Sequence, residues 1–352
     1  SSVMLLRSLR LKLRGWLRGR ARETNTGGGK GGIRTRTQAR SRPALARHRT
    51  HRRVTLFPRQ RGHGPHRPTD RPSEVRMAGL SLYAVAAIID VGLQVAGWAV
   101  SSALKTEKLY DGFGSVTFIS IALAALGGSG TAKQVVLCGL VLLWALRLGS
   151  FLVVRVFKTG GDKRFDRVKS NPGKFAVYWT LQGLWVYVTL LPFLFAISAT
   201  GGASTAFGIL DSIGLSVFAL GFGVESIADL QKFKFKVDGN SGFIRTGLWK
   251  FSRHPNYFGE IVLWWGVYLV CAPSLVGPQH LAAFSPLFVT GLLCFVSGIP
   301  LLERSADRKW GSDPEYLEYK QRTPVLIPFL HTRSLENKDA AAQGAEEAQQ
   351  SD

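Results

Sequence analysis

Between Leu80 and Leu302 long apolar runs alternate with short polar stretches, seven times in succession. The runs are Leu80–Ser102, Phe113–Gly128, Gln134–Phe157, Phe175–Ile197, Ala206–Ala228, Phe258–Val276 and Leu281–Leu302. An α-helix rises about 1.5 Å per residue, so about 20 apolar residues cross a hydrocarbon core of roughly 30 Å. The second run is short and the last contains Pro286 and Pro300, so the pattern predicts six to eight spans. A soluble all-α core can hide one such run, but not seven. The expected fold is therefore an all-α, polytopic membrane bundle of about seven transmembrane helices. After Leu302, Trp310, Tyr316, Leu317 and Tyr319 punctuate a polar segment that ends in PVLIPFL, the pattern of a short interfacial helix with an apolar anchor.

Charge divides the chain differently. Residues 1–76 hold 21 of the 45 Lys and Arg but only three of the 23 Asp and Glu, so +18 of the net +22 belongs to them. This segment mixes Arg with Gly, Pro, Thr and His without an apolar period. It reads as a basic low-complexity tail, disordered or transit-like, that is removed from or never made with a mature protein beginning near Met77. Residues 77–332 form the membrane domain and 333–352 a solvated, disordered tail. The body carries little net charge, so no nucleic-acid partner is expected for it. Its partners are the bilayer and a hydrophobic small molecule.

The loops 158–174 and 229–257 and the segment after Leu302 are rich in Lys and Arg, whereas 198–205 and 277–280 have none. That asymmetry puts the basic loops on the cytosolic side and, with seven spans, the N-terminus on the other. Cys138, Cys271 and Cys294 lie singly in apolar runs, and His254, His280 and His331 are far apart. Neither a disulfide framework nor a metal site is expected.

Candidate chemistry gathers in Ser241–Gly266, SGFIRTGLWKFSRHPNYFGEIVLWWG. Arg245, Lys250, Arg253 and His254 feed a helix start at Pro255, where the missing proline N–H costs nothing, and Glu260 is the one carboxylate in the run that follows. A cationic loop leading into a helix N-terminus suits a phosphate-bearing ligand. Ionisable groups inside spans cost about 2.5–3.5 kcal/mol each at a helix centre, so each asks for a reason. Arg147 and Asp90 read as an interhelical ion pair or as ligand groups. Glu225 and Asp229, four apart on one face, either accept ribose or amide donors or pair with Lys232 or Arg253. Arg155 and Lys158 fit snorkelling at a span end. Asp162 or Arg164, in GGDKRFD, fits either a solvated loop or a flap over a cofactor. No nucleophile–base pair and no dinucleotide fingerprint is legible, so a bound cofactor is expected to supply any chemistry.

Three blocks, GVESIADLQKFKFK, GLWKFSRHPNYFGEIVLWWG and SGIPLLERSADRKWGSDPEYLEYKQRTPVLIPF, resemble a membrane family related by similarity to the C-terminal domain of the steroid 5-alpha-reductases. NYFGE before a Trp-containing helix is also similar to the sterol C14-reductases. The resemblance implies NADPH in a cavity near the cytosolic face and hydride delivery to a carbon–carbon double bond of a lipid or steroid-like enone. It implies cofactor contacts at Asn256, Tyr257, Glu260 and Asp229. Glu225, by its helix face, and Arg253 and His254, by their place in the basic loop, are further cofactor-binding candidates, although the last two are not the usual reductase residues there; Glu260 and Tyr257 are the catalytic candidates. RHPxYxG, however, resembles the isoprenylcysteine carboxyl methyltransferases, which use S-adenosylmethionine and have counterparts of Glu303, Tyr316 and Tyr319. Tyr83, Asp90 and Tyr110 are candidates for the ketone-polarising pair of the reductases. The leading expectation is an NADPH-dependent oxidoreductase. Its alternatives are a methyltransferase of a prenylated or lipid substrate and a non-catalytic protein with a relic site. The resemblance implies the endoplasmic reticulum, and a plastid or mitochondrial membrane if the tail is a transit peptide.

Overall fold

The computed structural model describes residues 76–77, 79–159, 165–166, 168–199 and 206–330. The expected tails, 1–76 except Arg76 and 331–352, lie outside the described residues, as do Asp162 and Arg164. An antiparallel pairing of β1 (Arg76–Met77) with β2 (Leu80–Ser81) precedes the helices.

The seven expected apolar runs all become helical. They are α1 (Leu82–Ala103), α2 (Tyr110–Gly127), α3 (Ala132–Thr159), α4 (Pro172–Ser198), α5 (Ile209–Val237), α6 (Pro255–Cys271) and a last, broken span. That span runs from a 3₁₀ turn at Gly277–Ala283 through α7 (Phe284–Gly291), a π turn (Leu292–Val296) and α8 (Ile299–Trp310). Six of the seven are long and apolar enough to cross a membrane. Helix α6, with 17 residues, falls short of that length and is extended by a 3₁₀ turn at Ala272–Ser274. The protein is an all-α membrane bundle. Pro300 explains the break in the last span: its ring cannot accept a place in a continuing helix, and α8 restarts with it in the first turn. The segment expected to be a single interfacial helix after Leu302 is instead the end of α8 and a separate α9 (Pro314–Arg322), capped by the Asp313 side chain.

Aromatic packing holds the centre. Phe118 of α2, Trp144 of α3 and Trp264 of α6 meet edge to face or tilted, with the two indoles 4.8 Å apart at 76°. Helices α5 and α6 run antiparallel along a glycine seam. Gly214 faces Gly266, and Gly221 faces Gly259, each pair with backbone against backbone. A Cβ on Gly266 would stand 2.5 Å from the Phe218 amide nitrogen, and one on Gly214 would stand 2.9 Å from the Gly266 carbonyl oxygen. In lipid, where apolar side chains gain little by leaving their surroundings, such close approach is what drives two helices together. It also fixes the register of the acidic residues on α5 against the first turns of α6.

Candidate functional site in the bundle

Glu225 and Asp229 stand one helical turn apart on α5, and α3 presents Arg147 to both. Its Nη1 donates to Glu225 Oε1 at 3.0 Å and to Asp229 Oδ2 at 3.1 Å, and its Nε donates to Ser226 Oγ at 2.9 Å. The sequence suggested Lys232 or Arg253 as partners of this acidic pair, and Asp90 as a partner of Arg147. Both suggestions are corrected: a guanidinium can fork between two carboxylates on one helix face, and Arg147 reaches them from a neighbouring helix. Asp90 lies instead with Gln94 on α1. Arg155, read as snorkelling, reaches Asp111 at 3.3 Å, while Lys158 lies over the Phe233 ring at 5.5 Å.

The first turns of α6 complete the site. Pro255 opens the helix, as its chemistry requires, and Asn256 Nδ2 donates to Asp229 Oδ1 at 3.1 Å. Glu260 follows one turn later on the same face. Glu225, Asp229, Asn256, Tyr257 and Glu260 all line one cavity of about 720 Å³. Three polar atoms at this end, Glu225 Oε2, Arg147 Nη2 and Asn256 Oδ1, are buried without a hydrogen-bond partner. Orphaned polar atoms of this kind are costly in a membrane interior. The other end is apolar. Leu148, Phe151 and Trp185 form walls, and Leu184, Phe284, Leu287 and Phe295 line the cavity while standing 54–68 % exposed toward the lipid side.

Arg253 and His254 do not line this cavity. Arg253 Nη1 donates to Glu303 Oε2 and His254 Nε2 meets Glu303 Oε1, both at 2.7 Å. The same loop is clamped to the C-terminal apolar segment: Arg253 N donates to Pro324 O at 2.9 Å and Ser252 Oγ to Leu326 O at 2.7 Å. Burial holds the His254 imidazole below its ordinary pKa, against the opposing pull of Glu303. Tyr316 and Tyr319 also turn to protein partners, donating to Asp307 Oδ1 at 2.9 Å and to Trp249 O at 2.7 Å. Burial raises both phenols above their usual range, helped at Tyr316 by the bond to Asp307. These residues brace the entrance to α6.

Of the first-span candidates, Tyr110 lines the cavity and its hydroxyl donates to Tyr178 O at 2.9 Å. Tyr83 and Asp90 do not line it. Sequence reasoning missed Asp111 and Gln182, which do. It also missed the glycine seam, although the spacing of seven between Gly214 and Gly221, repeated between Gly259 and Gly266, was a usable signal.

A polytopic helical bundle with an internal cavity, polar at one end and open to lipid at the other, defines the class. The chain belongs to a family described as protein of unknown function DUF1295, whose model matches residues 97–323. It is 25% identical over 230 residues to the uncharacterized protein C594.04c of Schizosaccharomyces pombe, covering 56% of this chain and 64% of that one. It is 42% identical over 82 residues to methanethiol S-methyltransferase 1 of Bradyrhizobium diazoefficiens, covering 23% of this chain and 25% of the methyltransferase. The chain thus spans less than two thirds of the length of either curated relative. No solved structure matches it at a significant level.

Proposed function

We propose that this protein is a membrane-embedded methyltransferase that uses S-adenosylmethionine and acts on a soft nucleophile, such as a thiol, carried by an apolar substrate. The charge of the cavity carries this reading. Its lining holds four carboxylates, Asp111, Glu225, Asp229 and Glu260, and one guanidinium, Arg155, with Arg147 shared behind Glu225 and Asp229. Such a surface attracts the sulfonium and ammonium groups of this cofactor and repels a pyrophosphate. The arginines that the sequence offered to phosphates are engaged elsewhere, Arg253 with Glu303 and Arg245 with Glu315 at 2.8 Å. The short match to a methanethiol S-methyltransferase supports the same class.

Bound at the polar end, S-adenosylmethionine supplies an electrophilic methyl group. Glu225 and Asp229 would hold its cationic part, and Asn256 Oδ1 would accept from one of its N–H or O–H donors. Glu260, which makes no hydrogen bond or ion pair with a described residue, would take the proton of a thiol as the methyl group passes to that sulfur and the sulfonium leaves as a neutral thioether. The apolar walls admit the substrate from the bilayer and exclude water.

A second reading, NADPH-dependent reduction of a lipid enone, is favoured by the meeting of Asp229, Asn256 and Glu260 in one cavity, as the reductase resemblance implies. Thermal unfolding of the full chain in detergent separates the two. A ligand at 100 times its Kd stabilises by about 2.7 kcal/mol. S-adenosylmethionine is expected to raise the Tm of the parent and not of Asn256→Ala, which removes a group that holds it. A rise with NADPH alone overturns methyl transfer in favour of reduction, and a rise with neither overturns both.

A further inference from the structure

We propose that a second groove, between α1 and α4, is a binding site for a neutral lipid alcohol taken from the bilayer. This groove adjoins the cavity above at Leu184, which lines both, but the inference does not rest on the methyl-transfer reading.

The groove has a volume of about 590 Å³, within the usual range of ligand pockets, and its wall includes Asp90, Gln94, Trp179 and Gly183. Asp90 and Gln94 are only 4% and 5% exposed. Gln94 Nε2 gives its protons to Asp90 Oδ1 and Thr117 Oγ1, both at 3.2 Å. Exchanging the amide oxygen and nitrogen would set Oε1 against the carboxylate, so this orientation is fixed by its neighbours. Gln94 Oε1 is then buried without a partner, and Asp90 Oδ2 accepts no hydrogen bond from a described residue. Among the described residues no Lys or Arg pairs with Asp90.

Two acceptors call for a donor on the ligand. A hydroxyl donates to Asp90 or Gln94. A ketone lacks the donor. Gly183 keeps the space above the carboxylate open, because a Cβ there would stand 3.3 Å from Asp90 Oδ1. The rim is apolar: Val91 is 62% and Val95 54% exposed, so the ligand arrives through lipid. Asp90 is the ninth residue of α1, about 12 Å along the helix axis from Leu82, which places the hydroxyl well inside the hydrocarbon. A neutral alcohol reaches that depth far more easily than a charged amine.

Photolabelling of the full chain in detergent tests this, using hexadecan-1-ol with a mid-chain diazirine, its methyl ether, and the corresponding amine, with peptides mapped by mass spectrometry. The alcohol is expected to label α1 and α4 saturably, at least tenfold more than the ether. Asp90→Leu and, independently, Val91→Trp at the exposed rim are expected to cut that labelling at least tenfold. Val91→Trp should leave the Tm and its response to S-adenosylmethionine unchanged, so the two readings fail separately. Equal labelling by alcohol and ether, undiminished labelling of both variants, or preferred labelling by the amine would each overturn the proposal.

Discussion

The Glu225 peptide lies against Gly259 so closely that a Cβ on the glycine would stand 2.5 Å from the Glu225 amide nitrogen. The contact couples the helix seam to the site, because Glu225 and Glu260 flank it and both line the cavity. Gly259→Ala is therefore expected to push α5 and α6 apart and lower stability by about 1–3 kcal/mol, the usual cost of overpacking. Gly223, on the same helix as Glu225, has nothing within 4 Å of its added Cβ. Gly223→Ala should be neutral or stabilising by up to about 1 kcal/mol. Thermal unfolding of the two variants side by side checks the pair of outcomes. Equal losses would mean that the seam is not a close contact.

Arg147 compensates two carboxylates at once, so its removal should be costly. Arg147→Met leaves Glu225, with a side chain only 2% exposed, and Asp229 without their guanidinium. Breaking a buried ion pair by deleting one partner costs about 3–5 kcal/mol. Adding Glu225→Gln and Asp229→Asn to that variant should recover much of the loss. Arg147→Lys should recover less, because an ammonium does not reproduce the fork. A denaturation series over these variants reads the coupling directly, and additive losses would contradict a shared network.

The apolar periodicity made the bundle legible, because a spanning helix announces itself by length and composition alone. The start of α6 was equally legible, since Pro255 can occupy few other places in a helix. The acidic pair was found because four residues return to one helix face, and Asn256, Tyr257 and Glu260 because the resemblance named them. The partner of that pair was not legible. Arg147 lies 78 positions before Glu225, and only the packing of α3 against α5 decides that it reaches Glu225 before Lys232 or Arg253 does. Loop charge misled for a related reason. Arg253 and His254 neighbour the site in sequence, yet Glu303, fifty residues beyond Arg253, turns them away from the cavity.

Tyr319 tests whether the C-terminal tyrosines are ligands or braces. Its hydroxyl donates to Trp249 O, and the Trp249 indole in turn donates to Ala228 O at 3.1 Å, next to Asp229. A brace predicts that Tyr319→Phe loses about 1 kcal/mol of stability, the net worth of a hydrogen bond. It also predicts that the Kd for the cofactor stays within about twofold of the parent, a difference under ~0.5 kcal/mol. Calorimetric titration after a thermal melt measures both. A tenfold weaker Kd with unchanged stability would make the phenol a ligand.

His254 gives the fold a defined response to acid. Its imidazole is held below the ordinary value of 6.5, first by burial. As the pH falls, the unfolded chain therefore binds a proton that the native imidazole still refuses, so the native state loses ground. The contribution is complete above about pH 6.5 and declines below it. The Tm of the parent should fall between pH 7.5 and pH 5.5 more steeply than that of His254→Gln, which keeps a hydrogen-bonding side chain toward Glu303 but cannot titrate. Because His254 immediately precedes Pro255 and Asn256, the same protonation is expected to loosen the first turn of α6 and to weaken cofactor binding in the parent. A parent and a variant with the same pH slope would show that the imidazole takes up its proton equally well in the folded and unfolded chain.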